Sequence, residues 1–316
     1  LEQKIIEFTQ EIVRGMELHL LGSLTKPFEK TVVAFMVKRI GISKPEKIAP
    51  ENLMRVSELT RALDHDYILP YYQPKVNFRT GELVGLESLI RLDLPTSGIT
   101  TPDKFLPVAE QFEMMDQVTA AMLGHVCKDF SAAREQLGGK SSLAVNVSPF
   151  ELNNNKLPQH LKKALEKYDL TPDHMVVEIT ENSPLRTETQ LKNFNRLRIQ
   201  GFNLSLDDYG SGFTNLYQLK SLPFNEIKID RALCHGIWQD KVLQIIVEST
   251  RRVCDELNLR LVAEGVSDPR DFQMLDKLGI DVIQGYLFCR PRTMNEVIQW
   301  YGLWQRTFAG DTRAQR

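Results

Sequence analysis

Short apolar runs alternate with longer stretches of helical period along most of this chain. Two runs, 67–76 and 82–91, flank a turn at Thr80-Gly81, which predicts a pair of antiparallel strands. Further strand-like runs cover 142–147, 175–180, 203–208, 226–230, 260–264 and 281–284. Between them, 114–137, 158–168, 184–200, 241–258 and 269–278 repeat apolar residues at helical spacing. Apolar strands separated by helices imply a parallel sheet covered by those helices. Eight strands over about 240 residues fit the α/β class and a closed, TIM-like (β/α)8 barrel with an antiparallel first strand.

The first part of the chain follows a different rhythm. Ile5, Ile6, Ile12, Val13 and Met16 lie at helical spacing, a short apolar stretch covers 19–24, and a second helical pattern runs over 31–39. Residues 41–52, with Pro45 and Pro50, read as a linker. The expected organisation is a small α/β fragment with the start of a linker over 1–46, the barrel over 47–302, and a tail over 303–316. The helix–strand–loop–helix order around Lys26-Pro27 resembles the C-terminal end of a response-regulator receiver domain, with Lys26 as the lysine beside the phosphorylation site. The other reading is a helical linker with an incidental Lys-Pro. On the resemblance, the strands that carry a phosphoacceptor aspartate are missing, so a truncated receiver without a working switch is expected.

Composition narrows the function classes. The chain has 316 residues, 42% of them hydrophobic and 25% charged, which allows a large core. A formal net charge of -2 and the lack of long charged runs argue against a dedicated binder of polymeric nucleic acid or of membrane surfaces. Cys127, Cys234, Cys254 and Cys289 are scattered, with no C-x-x-C pair, so reduced thiols in a cytoplasmic protein are expected. No apolar run approaches the roughly 18 residues needed to span a bilayer.

The chemistry lies in the polar residues that end the apolar strands. Glu87 follows Leu83-Val84-Gly85-Leu86, Asn146 follows Leu143-Ala144-Val145, and Glu178 follows Met175-Val176-Val177. Asp207-Asp208 follow Leu204-Ser205-Leu206, Lys228 and Asp230 interrupt Ile227 and Ile229, and Glu264 and Gln284 end their own strands. The strand ends of a (β/α)8 barrel open on one face, so these groups should share one mouth. Two like charges about 4 Å apart repel by roughly 4 kcal/mol at an effective dielectric of 20. Five carboxylates there therefore call for protons or cations. Oxygen donors without His or Cys favour hard ions such as Mg²⁺ or Mn²⁺ over zinc. Two ions, with one aspartate bridging, suit the attack of water on a phosphodiester. Helix capping explains any one of these acids equally well, but not the Asn, Lys and Gln at the same depth.

Taken in order, the motifs resemble the EAL family of cyclic di-GMP phosphodiesterases. They are Glu87-Ser88-Leu89-Ile90-Arg91, Asn146-Val147-Ser148-Pro149, Glu178-Ile179-Thr180-Glu181, Asp207-Asp208-Tyr209-Gly210-Ser211-Gly212, Lys228-Ile229-Asp230, Ala263-Glu264-Gly265-Val266 and Gln284-Gly285-Tyr286. The resemblance implies that Glu87, Asn146, Glu178 and Asp207 hold one metal. A second metal would be shared by Asp207 and Asp208, near Glu264. Catalytic roles fall to Lys228, which orients or helps deprotonate the attacking water, to Glu264 as the other candidate base, to Gln284 near the water or metal shell, and to Glu181. The last would act by anchoring a mobile loop over 207–219. On the substrate side, Gln73 and Pro74 resemble the family's Gln-Pro, Arg91 should grip a phosphate with its planar fork, and Asp230 completes the set. The implied function is hydrolysis of cyclic di-GMP to linear pGpG in bacterial signal transduction, with a homodimer expected through the loop region. Two rivals remain: a receptor that binds cyclic di-GMP without cutting it, and an unrelated barrel enzyme acting on a phosphorylated metabolite. Ser88, Tyr209, Thr214-Asn215 and Ser267 depart from the family pattern without touching the metal set. The six histidines show no metal-ligand spacing, and the tryptophans read as packing residues.

Overall fold

In a computed structural model, residues 53–181, 185, 187–210 and 222–314 are described. The chain divides into two units after Ala49, and the described residues all belong to the second. The expected receiver-like fragment with Lys26, most of the 207–219 loop, and the linker therefore lie outside them.

The elements run α1 (Val56–Asp64), β1 (Ile68–Asn77), β2 (Glu82–Leu94), β3 (Gly98–Thr100), α2 (Pro102–Gln111), α3 (Met115–Ala133), β4 (Ser142–Asn146), α4 (Leu157–Glu166) and β5 (Met175–Thr180). They continue α5 (Glu188–Ile199), β6 (Asn203–Tyr209), β7 (Glu226–Ile229), α6 (Arg231–Cys234), α7 (Lys241–Leu257), β8 (Arg260–Ala263), α8 (Pro269–Lys277), β9 (Val282–Ile283) and α9 (Met294–Ala314). The sheet runs β1-β9-β8-β7-β6-β5-β4-β2, and a β1–β2 pairing closes the ring, with β3 added beside β2. β1 is antiparallel to both neighbours, while the pairs from β2–β4 round to β8–β9 are parallel. This is a closed α/β barrel with one reversed strand. Antiparallel β1 needs no crossover helix, so a short turn at Thr80-Gly81 joins it to β2.

Local chemistry explains where the helices start. Asp240 accepts from the backbone N–H groups of Val242 and Leu243, and Asp268 accepts from that of Arg270. Thr187 and Gln190 form a reciprocal capping pair at the head of α5. The outer helices bury apolar faces on the barrel: Val126, Phe130 and Leu161 are fully buried, as are Phe194 and Leu197.

Two differences from the sequence reading have clear causes. β3 and α2 were not expected; the span 98–111 carries Pro102 and Pro107, which hide a helix that begins with proline at its first turn. The segment read as a tail from 303 is helical through Ala314 as part of α9. Trp304 Nε1 donates to Gly81 O at 2.9 Å, and Trp304 stacks on Trp300, so the tail residues are pinned to the β1–β2 turn. The four cysteines are buried and unbridged. Among the described residues no helix is long and apolar enough to cross a membrane.

Candidate active site

Strand register sets the inward groups of the site. Gln73 of β1 is the register partner of Glu87 in β2, and Asn146 at the end of β4 is the partner of Glu178 in β5. Thr180 is the partner of Asp207. Residues two apart share a strand face, so Ser205 and Asp207 face the same way, as do Glu226 and Lys228.

Asp208 breaks that alternation. As the residue after Asp207 it should point away from the barrel interior. Its φ of 56° and the irregular β6–β7 register between Leu206 and Tyr209 turn it back toward the mouth. Aspartate tolerates this left-handed region better than most residues. Asp208 N–H donates to Asp207 Oδ1 at 2.9 Å, which locks the pair.

The outcome is two overlapping carboxylate groups. Glu87, Glu178 and Asp207 each bring an oxygen within 4.8 Å of the others, and so do Asp207, Asp208 and Glu264. Asp207 belongs to both. Between them stands the fully buried Lys228. Its Nζ lies 2.7 Å from Glu264 Oε1, 3.0 Å from Glu178 Oε2, 3.1 Å from Asp207 Oδ1 and 3.3 Å from Glu87 Oε2. Glu87 is further held by Asn146 Nδ2 at 3.1 Å and Gln284 Nε2 at 2.5 Å. Gln284 Nε2 also meets Gln73 Oε1 at 3.2 Å, and Gln73 Nε2 donates to Cys289 O at 3.1 Å. Gly285 keeps Gln284 in place, because a Cβ there would lie 2.1 Å from Val266 O.

The electrostatics record the crowding. Burial raises the pKa of Glu178 to about 7 despite Lys228 and Lys75. Burial, with Asp207 and Asp230 nearby, raises Asp208 to about 7 as well. Glu264 is pushed well above the carboxylate range by burial and by its acidic neighbours. Burial opposes ionisation of Glu87 too, but Lys228 and the bonds from Gln284 and Asn146 bring its pKa below the ordinary value. Burial likewise opposes the charge on Lys228, and Glu178, Glu264, Glu87 and Asp207 together raise its pKa well above that of a free lysine. Lys228 is therefore a fixed donor in this arrangement.

The donor set suits hard divalent cations. It consists of carboxyl and amide oxygens, and the five carboxyl groups crowd together in a way that a divalent cation would relieve. Gln284 Oε1 is a buried acceptor that receives no hydrogen bond among the described residues, as expected where a cation would be met.

Other expected residues fall around this centre. Glu181 is buried, and its Oε2 accepts from Gly210 N–H at 2.7 Å, at the start of the loop. Arg91 is half-buried, donates to Ile90 O at 2.7 Å and lies 5.5 Å from the Tyr71 ring. Pro74 is buried but alternates to the face opposite Gln73, so only the glutamine faces the site. Asp230 accepts from Ala232 N–H at 2.7 Å and caps α6.

Sequence reasoning missed two buried charges, Lys75 and Glu226. The available signal was spacing: Lys75 lies two residues from Gln73 on β1, and Glu226 two residues before Lys228 on β7.

The family described as EAL domain matches residues 56–291. The chain is 33% identical over 255 residues to the oxygen sensor protein DosP of Escherichia coli, covering 80% of this chain and 32% of DosP. It is 32% identical over 289 residues to the cyclic di-GMP phosphodiesterase RocR of Pseudomonas aeruginosa, covering 90% of this chain and 73% of RocR. The chain thus spans about a third of DosP, and the whole length of neither. Among solved structures, the MucR phosphodiesterase in complex with c-di-GMP superposes with a TM-score of 0.72 at 31% identity, covering 77% of this chain and 98% of that one.

Proposed function

The chain belongs to the EAL domain family, and from that premise we propose that it is a cyclic di-GMP phosphodiesterase that opens its substrate to linear pGpG. The observation that supports this most is the pair of carboxylate groups sharing Asp207 beside Lys228. Glu87, Asn146, Glu178 and Asp207 would hold one divalent cation, and Asp207, Asp208 and Glu264 a second, with Mg²⁺ or Mn²⁺ as the ions. Bound there, the two cations supply Lewis acidity toward a phosphodiester.

The chain's own residues do the rest. Lys228 donates hydrogen bonds into the space between the groups and orients the attacking water. Glu264, a carboxylate away from the Asn146 side, is the candidate to take its proton. Gln73 and Gln284 hold Glu87 from the side of β1 and β9. Arg91 offers a planar fork to a phosphate at the rim. A groove of about 460 Å³ beside Asn146, walled by Leu89, Leu106, Met122 and Phe150, offers apolar surface to a base. Glu181 positions the loop through Gly210. Homodimerisation through the loop region and a cytoplasmic location belong to the same reading.

The test is turnover of cyclic di-GMP with Mg²⁺, with Mn²⁺ and with a chelator. We expect pGpG with either ion and none with chelator. Binding of the dinucleotide without cleavage at saturating Mn²⁺ would make the protein a receptor; no binding at all would favour a different phosphorylated substrate.

A further inference from the structure

Beneath the mouth the barrel interior holds a second charged layer, which the reaction outlined above leaves unused. Lys75 is 0% exposed and lies deeper than Gln73 on the same face of β1, where its register partner is Gly85. Its Nζ lies 2.8 Å from Glu226 Oε1 and 3.2 Å from Glu178 Oε1. Ser205 Oγ donates to the same Glu226 oxygen at 3.1 Å, and Arg260 Nη1 lies 3.5 Å from Glu226 Oε2. Lys75 thus reaches across the ring from β1 to β5 and β7.

Glu178 is therefore gripped at both ends of its carboxylate. Oε1 faces Lys75 at 3.2 Å, and Oε2 faces Lys228 at 3.0 Å. The terminal torsion of a glutamate is broad and nearly two-fold, so an ungripped carboxylate would present either oxygen, or both, to a cation. Lys75 removes that freedom.

We propose that Lys75 is a positioning residue for the cation site: it fixes Glu178 so that Oε2 alone faces the mouth, with Glu226 as its permanent counter-charge. The proposal rests on the reading of Glu178 as a ligand, and not on the identity of the substrate. A purely structural pairing explains the contact with Glu226, but it does not require the contact with Glu178 on another strand. Buried partners that orient a ligand commonly tune cation affinity by about 10–100-fold.

The experiment measures Mn²⁺ binding by electron paramagnetic resonance, without substrate, on the full chain. It uses wild type, Glu226→Gln, Lys75→Met and the double variant, with thermal unfolding in chelator alongside. Removing both charges together avoids stranding an unpaired buried one. The double variant should therefore unfold within a few degrees of wild type while binding Mn²⁺ about tenfold more weakly. Glu226→Gln, which leaves Lys75 on Glu178, should keep near-native affinity. A folded double variant with wild-type Mn²⁺ affinity overturns the proposal and leaves Lys75 a charge balance for Glu226. If the double variant does not fold, Lys75→Arg decides: its bulkier fork should weaken Mn²⁺ binding severalfold, and unchanged affinity is fatal. Wild type that binds Mn²⁺ yet does not cleave cyclic di-GMP defeats the enzyme reading alone, whereas wild type that binds no Mn²⁺ defeats the shared ligand premise.

Discussion

The middle of β1 and the turn that follows it sit in opposite worlds. At Gln73 the strand enters a mouth where Glu87, Glu178, Asp207, Asp208 and Glu264 crowd around Lys228. A few residues on, Phe78 opens an aromatic seam that holds no buried charge pair: Phe78 meets Phe272 edge-on at 4.9 Å, Phe272 meets Phe288 at 5.5 Å, and Phe288 meets Trp304 at 5.6 Å. At that end a Cβ on Gly81, whose φ is 74°, would lie 2.5 Å from the Phe308 ring, so only glycine fits the turn beneath α9. The mouth concentrates like charge that disfavours the folded state; the seam concentrates apolar contact that favours it. Chemistry and apolar stabilisation are kept in separate parts of the barrel, with the chemistry at the strand C-termini.

The comparison breaks if a mouth variant unfolds the protein or a seam variant stops the chemistry. The largest effect is expected for Glu87→Ala: cyclic di-GMP turnover at saturating Mn²⁺ should fall by at least about a hundredfold, while the melting temperature in chelator moves by only a few degrees. Retained turnover would remove Glu87 from the site. Next comes Trp304→Ala, which loses the bond to Gly81 and the stack on Trp300. Urea unfolding should show a loss of about 2 kcal/mol, discounted from the fully buried range because Trp304 is only partly covered, with turnover at low temperature unchanged.

The smallest effect sharpens the contrast by pH. Asp208 has its pKa raised to about 7, so its ionised form opposes folding; the penalty is absent below the ordinary aspartate pKa, grows toward pH 7 and then levels off. Asp208→Asn keeps a residue suited to the left-handed backbone and removes that charge. In chelator it should raise the melting temperature more at pH 8 than at pH 5. An equal shift at both pH values would show that crowding at the mouth does not strain the fold.

Much of this was legible in the chain itself. The apolar runs located the eight ring strands, and the polar residues that end them picked out Glu87, Glu178, Asp207 and Glu264, which the structure brings together. α2 was hidden because Pro102 and Pro107 look like loop residues, although proline at a helix start is favourable. The helical course of 303–314 was hidden because its partner, the Gly81 turn, lies more than two hundred residues earlier.

What the sequence determined alone was whatever repeats along the backbone: strand and helix periods, and the residue types that end each strand. Those follow from local geometry, which any short window of chain contains. Tertiary structure alone decided which inward groups meet. Lys75 faces Glu178 only because the ring closes between β1 and β2 in one register. Asp208 joins Asp207 only because a single left-handed residue overrides strand alternation. Such contacts depend on how the whole barrel is staggered, and no local pattern encodes that stagger.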